Sequence, residues 1–116
     1  QSISVVIDQI SNPSYMKDVV NAIFQCILLS YEGILHIGSD DYLSRYEFTL
    51  EIAEIFDFDK TLIVPINTDK LSENVKSYIA ERPKHSGLKI DKIERELNIS
   101  TYSTSYSLKQ LKRILN

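Results

Sequence analysis

The chain has 116 residues, of which 43% are hydrophobic and 25% charged, and its formal net charge is −3. These proportions are typical of a globular domain and argue against disorder, while the length allows at most one domain with a modest core. The acidic balance excludes an extensive basic surface for nucleic acid or an anionic membrane, and the one cysteine excludes an internal disulfide framework.

No apolar run approaches the ~20 residues that a membrane helix needs. The N-terminus also lacks the charged lead and apolar core of a signal peptide, so we expect a cytoplasmic protein. With two histidines and no clustered carboxylate motif, we expect no metal site.

The first half of the chain alternates strand and helix patterns. Residues 3–7 are mostly apolar and β-branched, which predicts a strand. Ser14 is the expected N-cap of the next helix. A second strand is predicted at 34–37, where His36 is interpreted as a core histidine. The helix carries an apolar stripe at helical spacing that is expected to face a core, formed by Met16, Val19, Val20, Ile23, Phe24, Ile27 and Leu28.

The second half continues this alternation. Ser44 and Glu47 have the spacing of a capping box, which predicts a helix that ends near Asp57. A third strand is predicted at 61–66 and a turn of helix at 71–78. Two further helices are expected, a short one marked by Ile90, Ile93 and Leu97, and a last one with Leu108, Leu111, Ile114 and Leu115 inward and Lys109, Lys112 and Arg113 outward. Strands alternating with helices indicate α/β layering.

The least regular stretch is the loop at 81–88. Arg82 precedes Pro83, which favours an extended backbone at the arginine. A guanidinium held on such a loop can offer paired donors to a phosphate or a carboxylate. On residue chemistry alone, a solvated loop with a surface ion pair is the more common role.

Three stretches together resemble one known family. Arg82-Pro83-x-x-Ser86-x-Leu88, followed by a short helix ending at 96–99, is similar to the Arg-Pro-x-Asn-Ser-x-Leu-Asp signature of dTDP-4-dehydrorhamnose reductases, enzymes of the extended short-chain dehydrogenase/reductase superfamily. Residues 8–15 resemble that family's Asp-Gln-Phe-Gly-Ser-Pro-Thr-Tyr segment. Residues 33–37 and 44–48 resemble its Gly-Ile-Tyr-His-Val strand and its Tyr-Glu-Phe helix. The matches occur in the family's order and span nearly the whole chain.

This sequence also departs from the family's pattern. His85 stands where the family usually has Asn, so a hydrogen bond from an amide at that position is in doubt. Lys89 replaces the family's Asp after Leu, which alters the expected helix cap. Ser14 replaces Thr and keeps the hydroxyl.

The resemblance implies an α/β fold that is the C-terminal segment of a Rossmann-type reductase: the last sheet strand, starting at Gly33, plus a small α/β substrate-binding lobe. Residues 1–116 would form the substrate-binding region, with the N-terminal NAD(P)-binding half absent. The chain opens directly in a strand pattern without Met, as expected of a fragment. We therefore expect association with that N-terminal half or with a second copy.

The superfamily reduces ketones with NAD(P)H and a Tyr-x-x-x-Lys pair, and this pair is missing. None of the seven tyrosines has Lys four positions later. The three glycines cannot form the G-x-G-x-x-G turn that binds a dinucleotide. By itself the chain is therefore expected to be inactive and to bind no cofactor. NAD(P)H would be held mainly by the absent N-terminal half of the parent, the complete reductase of which this chain would be a part.

The resemblance implies binding of a nucleotide sugar. Arg82 is the first candidate, as the residue that holds the diphosphate. Gln9 is the second, as a polar contact near the sugar or the cofactor, and a role in stabilising the turn before Pro13 fits it equally well.

The resemblance therefore indicates the C-terminal part of an NAD(P)-dependent oxidoreductase of dTDP-rhamnose biosynthesis. A non-catalytic regulatory or scaffolding subunit with the same fold remains an alternative, as does a sibling nucleotide-sugar epimerase or dehydratase. Whether the parent is an enzyme is left open by these residues. The N-terminal sequence of the parent would separate the three.

Overall fold

The computed structural model describes residues 1–74 and 80–115 and gives them a mixed α/β fold. Within the described residues, the strands form one parallel pair and one antiparallel pair. In chain order the elements are β1 (Ile3–Val6), β2 (Ile10–Ser11), α1 (Met16–Leu28), β3 (Leu43–Ser44), α2 (Arg45–Ile55), a 3₁₀ helix (Lys60–Leu62), β4 (Ile63–Ile66), α3 (Thr68–Asn74), α4 (Asp91–Leu97) and α5 (Thr104–Leu115). The predicted α/β class is confirmed.

The parallel sheet pairs β1 with β4, so that Val5 lies opposite Pro65. Both strands were predicted, although β4, expected at 61–66, begins two residues later, at Ile63. Asp59 accounts for the difference, because its side chain accepts a hydrogen bond from the backbone of Thr61 at 2.9 Å and starts a 3₁₀ turn there. Pro65 lacks an N–H donor and is tolerated in a strand with a neighbour on one side.

Helix α2 begins with the predicted capping box. The Ser44 hydroxyl accepts from the Glu47 backbone N–H at 3.1 Å, and the Glu47 carboxylate accepts from the Ser44 N–H at 2.7 Å. Ala53 is buried where α2 packs against β1, β4 and α5. The cap therefore fixes where α2 starts, next to the end of β3.

Helix α5 differs from the prediction in its last turn. Leu108 is buried as expected, but Ile114 and Leu115 are exposed. Lys112 points inward instead, and its ammonium donates to the backbone carbonyl of Ile55 at 2.5 Å. Because Ile55 is the last residue of α2, the turn of α5 beyond Lys112 has no α2 surface to cover.

A small core lies between α1 and α4, built on Ala22, Ile93 and Leu97. Ser14 is not the N-cap of α1, which was predicted. Tyr15 takes that position, and the Ser14 hydroxyl donates to the carbonyl of Ile37 at 3.2 Å.

The apolar stripe of α1 does not face a core in this chain. The helix turns its Ala22 and Cys26 side towards α4 and leaves most of the stripe in solvent. The prediction that the stripe is covered is therefore wrong for the residues described. Six of its members are more than half exposed: Met16, Val20, Ile23, Phe24, Ile27 and Leu28.

Residues 34–37 form no strand in the described part of the chain, contrary to the prediction. A strand is defined by pairing, and no described strand lies alongside them. His36 is exposed, so its interpretation as a core histidine is also wrong. Of the helical turn expected at 71–78, α3 contains the beginning, and residues 75–78 lie outside the described residues. None of the described helices is long and apolar enough to cross a membrane.

Candidate functional site

The loop that carries Arg82 is fixed against β2. Ile10 pairs with Ser44 of β3 on one side. On its other side the Ile10 N–H donates to the carbonyl of Lys84 at 2.7 Å, and its carbonyl accepts from the Ser86 N–H at 2.9 Å. The backbone at 84–86 therefore runs beside β2 like a third strand, parallel to it.

Asn12 holds the far end of this loop. Its buried side-chain amide donates to the carbonyls of Ser39 at 3.2 Å and Leu88 at 3.0 Å. Its oxygen accepts from the Leu88 N–H at 2.8 Å. A Cβ on Gly38 would lie 2.6 Å from the Asn12 amide nitrogen, so glycine is needed there for close approach. Asn12 thus joins the loop to the segment before β3.

Gly87 serves a second close approach. A Cβ at this position would lie 2.3 Å from the ring of Tyr42, and the Tyr42 hydroxyl donates to the Leu88 carbonyl at 2.9 Å. The ring can lie over the loop because no side chain stands between them. The loop is therefore held by packing as well as by hydrogen bonds.

Gln9 is buried, and its amide donates to the Thr68 hydroxyl at 3.1 Å. That hydroxyl in turn donates to Asp8 at 2.7 Å. This bond from Thr68 is the main reason why the pKa of Asp8 lies below its usual value. Lys84 adds an ion pair with Asp8 at 3.8 Å. The side chain of Gln9 is thus tied to the start of α3.

One end of the small sheet formed by β3, β2 and the backbone at 84–86 brings together Gln9, Arg45 and Arg82. Arg45 follows β3, and its backbone N–H donates to the Gln9 carbonyl at 3.1 Å. All three residues line a cleft of about 520 Å³ and an adjoining smaller cleft of about 110 Å³. The structure therefore brings the two candidates from the sequence, Arg82 and Gln9, to one place.

The smaller cleft has the character of an anion site. Its lining consists of Gln9, Ser11, Arg45, Arg82, Pro83 and Ser86, with no acidic residue among them. Within the described part of the chain, neither guanidinium has an ion-pair partner. The larger cleft is mixed, since Asp69 and Glu81 also line it. Local positive charge thus stands out on a chain whose net charge is −3.

Sequence reasoning missed Arg45, although it lies in the quoted stretch 44–48, directly before the Tyr-Glu-Phe motif. The available signal was its position directly after the capping serine, since a residue there begins a helix beside the end of a strand. Asn12 was also missed as an organiser of the loop. Its partners are 27 and 76 residues away in the sequence, and no local pattern predicts them.

The glycines of the chain do not fit a dinucleotide phosphate cradle. Gly38 packs on Asn12, and Gly87 packs on Tyr42. Gly33 has a φ of +128° and lies beside the Tyr31 ring. The described residues also contain no group of His, Cys, Asp and Glu side chains that could hold a metal ion.

A small α/β lobe whose cleft is lined by two arginines has the features of a substrate-binding domain. The model of the RmlD substrate binding domain family matches residues 1–115. The chain belongs to this family, and it is a substrate-binding domain of the kind found in dTDP-4-dehydrorhamnose reductase-like proteins.

Solved structures support this assignment. The chain is similar to a dTDP-4-dehydrorhamnose reductase from Bacillus anthracis in complex with NADP, with 24% identity, a TM-score of 0.85 and coverage of 98% of this chain and 38% of that one. It is also similar to a dTDP-4-dehydrorhamnose reductase from Clostridium acetobutylicum, with 25% identity, a TM-score of 0.81 and coverage of 98% of this chain and 39% of that one. A search of curated proteins returned no match.

The Yersinia enterocolitica dTDP-4-dehydrorhamnose reductase has the same fold at 20% identity, with a TM-score of 0.77 and coverage of 94% of this chain and 36% of that one. The chain therefore spans less than two fifths of the length of these reductases. The predicted fold class, the C-terminal segment of a Rossmann-type reductase, is confirmed.

Proposed function

We propose that residues 1–116 are the C-terminal, nucleotide-sugar-binding region of an NAD(P)H-dependent cytoplasmic reductase of the dTDP-4-dehydrorhamnose reductase type. The observation that carries the proposal is the convergence of Arg82 and Gln9 at one cleft of a family member's substrate-binding domain. The parent would place the Tyr-x-x-x-Lys pair and the dinucleotide site on its N-terminal half, which this chain does not contain.

In this proposal Arg82 contacts the diphosphate of the substrate. Its exposed guanidinium is free to bind an anion, and the backbone at 84–86 is anchored to β2 so that the loop presents the arginine at the cleft. A guanidinium offers paired donors that match phosphate oxygens, and such charge-assisted bonds are stronger than neutral ones.

Gln9 provides a polar contact at the inner end of the cleft, near the sugar or the cofactor. Its amide is already oriented by the Thr68 hydroxyl, so little side-chain freedom would be lost on binding. The ketone reduction itself would use groups outside this chain. When bound by the parent, NAD(P)H supplies the hydride.

The test is to titrate dTDP-L-rhamnose, the product of this type of reductase, into the complete protein and to assay reduction of dTDP-4-dehydrorhamnose with NADPH and NADH. Binding together with turnover supports the proposal. Binding without turnover points to the regulatory or scaffolding alternative, and turnover with epimerase or dehydratase products points to a sibling enzyme. The 116-residue chain alone should give no turnover, and measurable turnover from a homogeneous preparation would contradict the proposed division of the protein.

A further inference from the structure

We infer that Arg45 acts with Arg82 as a two-arginine clamp for two linked phosphates. The inference deepens the proposed function, and it rests on that proposal only for the identity of the group attached to the phosphates. Membership of the family does not by itself assign a role to Arg45.

The backbone places the two arginines on opposite sides of β2. Arg45 directly follows β3, which pairs with β2 on one side. Arg82 lies two residues before the segment at 84–86, which runs along β2 on the other side. Neighbouring strands lie about 4.7–4.9 Å apart, so β3 and the segment at 84–86, on either side of β2, are separated by roughly 9–10 Å. An anion between them can be contacted from two sides.

Hydrogen bonds hold the backbone on both sides of the clamp. The Arg45 backbone is bonded to the Gln9 carbonyl, and the preceding Ser44 is locked by the capping box. The Arg82 wall is held by the Ile10 bonds and, further along, by Asn12. A site built on fixed backbone loses less conformational freedom on binding than one on a free loop.

The chemistry of the smaller cleft fits a diphosphate. Two guanidiniums supply two positive charges, which matches the two negative charges of a diphosphate diester. The hydroxyls of Ser11 and Ser86 line the same cleft and can donate to phosphate oxygens. No acidic side chain lines this cleft, so repulsion of the ligand is avoided where the phosphates would lie.

The experiment compares dTDP, dTMP and inorganic pyrophosphate by calorimetric titration into the complete protein and its variants at one salt concentration. Arg45→Ala and Arg82→Ala should each weaken binding of dTDP and pyrophosphate about ten- to a hundredfold, the range for a hydrogen bond to a charged group. The loss for dTMP should be smaller, because a single phosphate cannot engage both arginines fully. Arg45→Lys should recover part of the affinity, because it keeps the charge but loses the planar fork.

Arg113→Ala is the matched control, since it removes the same charge from an exposed residue that lines neither cleft. Circular dichroism and the unfolding midpoint of each variant establish that it is folded. If folded Arg45→Ala binds dTDP and pyrophosphate as wild type does, or if folded wild type binds neither, the clamp is overturned. If pyrophosphate binding depends on Arg45 while dTDP-L-rhamnose does not bind, the clamp stands and the proposed function fails.

Discussion

Replacing Asn12 by Ala should destabilise the protein and loosen the Arg82 loop at the same time. The side chain is 7% exposed and makes three hydrogen bonds, to the Ser39 carbonyl and to the carbonyl and N–H of Leu88. The Leu88 carbonyl keeps its bond from the Tyr42 hydroxyl after the substitution. Two backbone groups, the Leu88 N–H and the Ser39 carbonyl, lose their Asn12 partner.

A buried polar group left without a partner costs about 1–3 kcal/mol. The Ser39 carbonyl is buried but the Leu88 N–H is only partly buried and can be reached by water, so Asn12→Ala should lower the free energy of unfolding by roughly 2–4 kcal/mol. Urea denaturation of the complete protein measures this as a fall in the midpoint at constant slope. Asn21→Ala is the matched control on the exposed side of α1, and it should change stability by less than about 0.5 kcal/mol. An Asn12→Ala protein as stable as the control would refute the view that Asn12 organises the loop.

Three further predictions concern surfaces and charges. The 116-residue chain expressed alone should self-associate or bind an apolar dye through the exposed stripe of α1. Phe24→Lys should reduce the self-association measured by sedimentation. A clean monomer with a sharp unfolding transition would contradict this prediction. Burial raises the pKa of Glu51, so its stabilising contribution is present at low pH and is lost as the pH rises through the raised value. Glu51→Gln should therefore raise the melting temperature at pH 7 more than at pH 4. An equal effect at both pH values would count against this role of Glu51. Burial also acts to raise the pKa of Asp41, but hydrogen bonds from Thr104 and Ser39 outweigh it and lower the value. The charged carboxylate therefore stabilises the fold at neutral pH, and this stabilisation is lost as the pH falls through the lowered pKa. Asp41→Asn should cost more stability at pH 7 than at pH 3, and a cost that does not depend on pH would exclude this role.

Local patterns predicted the helices well. The capping box at Ser44 and Glu47 placed the start of α2, and the spacing of Ile93 and Leu97 placed α4. Such signals depend on residues a few positions apart, which is why they are visible in the sequence. The periodicity of α1 was also correct, but periodicity alone does not say which surface covers the stripe.

The strand expected at 34–37 shows the limit of the same reasoning. An apolar β-branched run indicates that a segment can join a sheet, but a strand forms only where a partner lies alongside. The candidate site was predictable in part for a related reason. Arg82 and Gln9 were found through motif resemblance, whereas Arg45 reaches the cleft only through the pairing of β3 with β2.

The central claim is that Arg82 holds the diphosphate of a nucleotide sugar. Its most direct test is the titration of dTDP-L-rhamnose and of NADPH into the complete wild-type protein and into Arg82→Ala at fixed salt. Loss of a charge-assisted hydrogen bond of about 1.5–3 kcal/mol predicts ten- to a hundredfold weaker binding of the nucleotide sugar. NADPH affinity should stay unchanged, because the cofactor would lie on the other half of the parent. Equal affinity of the two proteins for the nucleotide sugar would contradict the claim and show that Arg82 has no role in binding the diphosphate.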